Sequence, residues 1–203
     1  MKKILLPFYS CLLFLSIACN TSTPSENPAE NEPAETDSTP TEAEASSAPD
    51  YEIEVVDPAP KSPRKEMRTK LAGGSITINY GSPKVKGRII WGGLEEYGVV
   101  WRAGANEATR FETTADLTIQ GGSLPAGKYS FFLIPKEQGP WIAIFNAVYE
   151  QWGAYEYDES KDVLRVEVNP VMKEENQESL DYVVEGGAIV MRWAKVELTL
   201  DVQ

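Results

Sequence analysis

Residues 115–135 read ADLTIQGGSLPAGKYSFFLIP. Leu117 and Ile119 alternate with polar neighbours, which is the period of a half-buried strand. Gly121-Gly122 supplies the backbone freedom for a turn. Phe131 to Ile134 then runs apolar on both faces, which predicts a central strand with both sides of its sheet covered. Strand, glycine turn and strand in so short a span leave no room for a helical crossover. The stretch points to antiparallel β structure.

The same pattern extends outward. In SITINY, Ile76, Ile78 and Tyr80 alternate, and GVVWRA and TRFET bracket a polar loop. KEQGP makes a turn before WIAIFNAV, a second two-sided apolar strand. Leu164, Val166 and Val168 alternate with Arg165 and Glu167. LDYVVEGGAIVMRW predicts a hairpin around Gly186-Gly187, and Val196, Leu198, Leu200 and Val202 predict an inward-facing last strand. Only MKEENQESL has a helical look, and it lacks an apolar stripe. The fold class is all-β: a single antiparallel β-sandwich or jelly-roll-like domain over residues 51–203.

The preceding residues are of another kind. Lys2 and Lys3 lead an apolar stretch of about fifteen residues, too short to span a bilayer comfortably. It ends Ser16-Ile17-Ala18-Cys19, so residues 1–18 are expected to be a lipoprotein signal peptide, with Cys19 as the lipidated N-terminus. Residues 20–50 hold eight acidic side chains and no Lys, Arg, Leu, Ile, Val or aromatic. Such a chain buries too little apolar surface to offset its ordering entropy, so residues 19–50 are expected to form a disordered acidic tether. The expected location is the cell envelope, lipid-anchored at the outer membrane.

Composition closes off several chemistries. The chain has no histidine, and its two cysteines, Cys11 and Cys19, both precede the domain. That removes Ser-His-Asp and Cys-His catalysis, histidine-ligated metals and any disulfide in the domain. No cofactor is expected. Net charge of −12 argues against nucleic acid.

Three segments carry candidate residues. In VVWRAGANEATRF, residues 99–111, alternation sends Trp101 to the core and leaves Arg102, Asn106 and Glu107 beside one another. Arg102 reads as an anion anchor with Glu107 as acid, base or ligand, or else as a staple pairing with Glu107 or Asn106 across the loop. In SPKVKGRIIW, an extended chain puts Lys84, Lys86 and Arg88 on one face, as a basic strip or a protected sheet edge. In QWGAYEYDESKD, Trp152, Tyr155 and Tyr157 are amphipathic rings of the kind that line sugar or peptide clefts. Asp158 and Asp162, with Glu159, are weak calcium candidates without EF-hand spacing. Glu107 with Asp158 is a conceivable glycosidase pair if the fold brings them together.

SPKVKGRIIWGGLEEYGVVWRAGANEATRFET, LPAGKYSFFLIP and WIAIFNAVYEQWGAYEYDESKDVLRVEV, in that order, resemble the bacterial family known as domain of unknown function 2911, over about residues 62–202. Its Trp-Arg-x-Gly-Ala-Asn-Glu-Ala-Thr motif falls on Trp101, Arg102, Gly104, Ala105, Asn106, Glu107, Ala108 and Thr109. Glu95 and Glu96 stand where the resemblance leads one to expect an apolar residue and proline. The resemblance implies an exported protein, often a lipoprotein, and no particular activity. The expected function is a non-catalytic envelope domain binding a carbohydrate, a peptide or an envelope protein. The alternatives are a carboxylate-based hydrolase and a purely structural protein.

Overall fold

A computed structural model describes residues 50–203. The expected signal peptide, Cys19 and nearly all of the tether lie outside the described residues. Eleven strands follow in chain order. They are β1 (Tyr51–Asp57), β2 (Arg64–Leu71), β3 (Gly74–Gly81), β4 (Thr109–Thr113), β5 (Leu117–Ile119), β6 (Gly122–Leu124), β7 (Gly127–Ile134), β8 (Trp141–Asn146), β9 (Asp162–Val168), β10 (Pro170–Glu185) and β11 (Ala188–Asp201).

Seven of them form one antiparallel sheet in the order β1-β2-β3-β4-β7-β8-β9. The long β10–β11 hairpin makes a second layer, and the short β5–β6 pair joins it where Ile119 bridges Val202. But for one 3₁₀ turn at Glu159–Lys161, the regular structure of the described residues is all-β, as the alternation predicts. Ile76, Ile78 and Tyr80 of β3 point inward, as do Phe131, Leu133 and Phe145 of β7 and β8. They meet Leu180, Tyr182, Ile189, Met191 and Trp193 of the hairpin in one core. Tyr80 and Tyr182 touch edge to face across the layers, with centroids 4.8 Å apart.

The apolar second faces of β7 and β8 have their own cover. Phe132 and Ile144 pack with Ala108 on the other side of the sheet, under Ala154 and Tyr157 of the β8–β9 connection. Tyr157 meets Phe132 edge to face at 5.2 Å. A strand apolar on both sides is therefore central for a physical reason: one side meets the hairpin and the other meets a loop.

Three details differ from the expectation. MKEENQESL is extended in β10, with irregular register between Met172 and Asp181, so its absent apolar stripe was the better guide than its composition. The segment around Lys84, Lys86 and Arg88 is no strand. Lys86 has φ of 50°, and Arg88 folds back to donate to the carbonyls of Val85 and Lys84, so no basic strip forms. Finally, GVVWRA contributes only Trp101 to the ladder, through paired backbone hydrogen bonds of 2.8 and 2.9 Å with Leu133.

Candidate functional site

That last detail builds the loop. After pairing with Leu133, the chain leaves β7 at Trp101 and rejoins it at Thr109, opposite Phe131. Residues 102–108 are an excursion from one interrupted strand, closed where the Thr109 N–H donates to the Arg102 carbonyl at 3.2 Å. Ala103 and Asn106 take positive φ to make the reversal. Ala105 presses so closely on Gly81 that a Cβ there would lie 2.1 Å from the Ala105 carbonyl oxygen. The Thr109 hydroxyl and the Tyr182 phenol both donate to the Ala103 carbonyl, at 2.9 and 2.7 Å.

The polar residues of the loop face different ways. Asn106 donates to the Ser62 carbonyl at 3.3 Å. Glu107 pairs with Arg64, whose Nη1 lies 3.3 Å from Oε2. Arg64 is buried, 8% exposed, and its other donors reach Asn79 and the carbonyls of Glu107, Asn79 and Ala108. Burial works against the Arg64 charge and Glu107 supports it. Arg102 pairs with neither loop neighbour. It is half-buried, forms no ion pair among the described residues, and keeps a buried Nε without a protein acceptor. Its charge is felt at Glu95, whose carboxyl burial nonetheless raises to about 7.

The aromatic segment reaches the same loop through its backbone. Trp152 bridges Glu107, and the Gly153 N–H donates to the Asn106 carbonyl at 3.1 Å. Yet the side chains do not form one cavity. Asn106 and Glu107 line a polar recess of about 240 Å³ with Arg64, Asn79, Arg110 and Asp57. Trp152 and Tyr155 line neither this recess nor the cavity described next, and stand 58% and 84% exposed. Tyr157 is tied down. Its hydroxyl donates to Asp162 at 2.6 Å and accepts from Arg165 at 2.8 Å, and burial with that carboxylate pushes it upward in pKa. Asp162 also accepts from Asn146, while Asp158 accepts from the Ser160 N–H and caps a single turn. Among the described residues no three acidic side chains gather as metal ligands.

A cavity that the sequence reading missed lies elsewhere. Trp91, Trp101, Trp141 and Trp193 form one cluster, with centroids 4.7 to 5.6 Å apart. Beside it, Trp91, Tyr97 and the 2% exposed Trp141 line a cavity of about 270 Å³ with Met172, and Lys136 and Glu137 are among its polar residues. The Trp141 indole N–H donates to the Lys136 carbonyl at 3.0 Å, which fixes that ring. Trp91 keeps a buried indole N–H with no acceptor in the protein. The only sequence signal was the abundance of tryptophan, five in the chain. Trp91 and Trp141 are fifty positions apart, and nothing local marks them as neighbours.

With this geometry in place, the chain belongs to the family described as protein of unknown function (DUF2911), which matches residues 62–202. No curated protein and no solved structure matches it. The arrangement accounts for most of the shared motif as structure. Trp101 fills the core, Gly104 lies against Thr109, Ala105 against Gly81, Glu107 against Arg64, and Ala108 under the outer cover. Arg102 is the charged residue of the motif that has no ion-pair partner among the described residues.

Proposed function

We propose that this chain is a ligand-binding domain of the cell envelope, exported, held to the outer membrane by a lipid on Cys19 and carried on its acidic tether. It takes a small organic ligand into the Trp91–Tyr97–Trp141 cavity and does no chemistry on it. One observation carries the binding half of this reading: an open cavity lined by the aromatic residues Trp91, Tyr97 and Trp141, with a few polar groups at hand. Small-molecule sites have that make-up. Its volume of about 270 Å³ falls just below the usual range for such sites, which favours a small ligand.

The hydrolase alternative has less to support it. Glu107 is held by Arg64 and Asp158 caps a turn. Glu137 is the one carboxylate lining the aromatic cavity. The test is ligand-detected NMR on the full-length protein in detergent, against neutral sugars, short peptides and small organic ions. The expected result is binding by one class, lost in Trp91→Ala and in Tyr97→Ala. Binding by none of them, or binding that survives both substitutions, overturns the proposal.

A further inference from the structure

We infer that the Trp91–Tyr97–Trp141 cavity is a cage for a methylated ammonium group. This rests on the reading of the cavity as the ligand site and adds the chemistry of the ligand. Trp141 is 2% exposed and packs edge to face against Trp91 at 62°, so it backs the cavity, and Trp91 and Tyr97 are the rings with surface open to a ligand. Tyr97, 38% exposed, is the second such ring and is settled over Gly92, where a Cβ would lie 2.5 Å from its ring carbon Cε2. Aromatic faces attract cations through the ring quadrupole, tryptophan most strongly, and several rings around one space are how quaternary ammonium groups are recognised. Met172 adds a polarisable thioether to the wall.

Charge points the same way. Glu137 is exposed and forms no ion pair among the described residues, so its carboxylate is free to face a cation. The protein as a whole is acidic. Lys136 is the opposing charge. Its carbonyl is held by Trp141, but its ammonium is likewise unpaired among the described residues and sits on a flexible stem. The two neighbours therefore give the proposal a sign: Glu137 helps a cation and Lys136 hinders it.

The experiment is titration of the full-length protein with choline and with 3,3-dimethylbutanol, its uncharged isostere. Choline is expected to bind about tenfold more tightly, as for a cation partly desolvated on ring faces. Glu137→Gln should weaken choline several-fold, Lys136→Gln should tighten it, and neither should move the isostere. Equal affinity for the two probes, or reversed effects of the two substitutions, overturns the cation cage while leaving the cavity a ligand site. Choline failing to bind while a neutral sugar binds does the same. Failure of every probe removes the site itself. Sedimentation of Cys19→Ser protein with phosphatidylcholine but not phosphatidylglycerol vesicles, reversed by free choline, assigns the group to a lipid headgroup. Choline binding without that retention assigns it to a free solute.

Discussion

Arg64 Nη1 lies 3.3 Å from both the backbone carbonyl and the carboxylate Oε2 of Glu107, which stands forty-three positions away in the chain. This contact, and not one between Arg102 and Glu107, pins the 102–108 excursion to the sheet. Arg64→Ala leaves the Asn79 side chain, the carbonyls it served and the Glu107 carboxylate without their donor. The expected cost is about 3 kcal/mol, the scale for removing one partner of a largely buried, hydrogen-bonded charge. Arg102→Ala removes no protein hydrogen bond and should cost less than about 1 kcal/mol. Chemical denaturation of the two variants compares them, and a larger loss for Arg102→Ala contradicts the assignment.

Gly81 and Ala105 make a backbone contact with no space for a methyl group. Gly81→Ala should therefore push the excursion outward and destabilise the fold by about 2–3 kcal/mol, as overpacking does. Thermal unfolding measures this. An unchanged midpoint would mean that the loop moves aside freely.

Glu95 gives the fold a pH dependence. Burial raises its carboxyl from an ordinary 4.5 to about 7, against the pull of Arg102 and Arg88. Between those two values the folded chain keeps a proton that the unfolded chain has lost, so stability falls as pH rises through that window, and the penalty is complete above it. Glu95→Gln should thus match the parent at pH 4 and exceed it at pH 8 by about 1–2 kcal/mol, allowing for partial solvent contact. A variant less stable than the parent at pH 8 reverses the sign and refutes the burial argument.

How much of this was legible in the sequence follows from the range of each interaction. Ile76, Ile78 and Tyr80, the Gly186-Gly187 hairpin and the inward series from Val196 to Val202 all show local alternation, and all lie as that alternation requires. β1 alternates too, Tyr51, Ile53 and Val55 against Glu52 and Glu54, yet as an edge strand it leaves Ile53 and Val55 exposed, so alternation there does not mark the core. The partner of Glu107 was invisible because Arg64 belongs to β2, and periodicity says nothing about which strands become neighbours. The aromatic cavity was hidden for the same reason. Trp91 comes from an irregular turn and Trp141 from a strand start, and only the folded chain brings their rings together.

The proposed export and lipidation make a prediction of their own. Cys19→Ser should move the protein from the membrane fraction to the soluble fraction on cell fractionation. Continued membrane attachment refutes the lipid anchor on that residue.

The central claim is that ligand enters at Trp91 and Trp141 and not at the loop bearing Trp152. The five tryptophans give five indole N–H reporters in a two-dimensional NMR spectrum of the full-length protein. Titration with choline should shift the Trp91 and Trp141 signals and leave that of Trp152, 58% exposed, where it was. Movement of the Trp152 signal with those of Trp91 and Trp141 unchanged would contradict the claim and return the site to the Arg102–Glu107 loop.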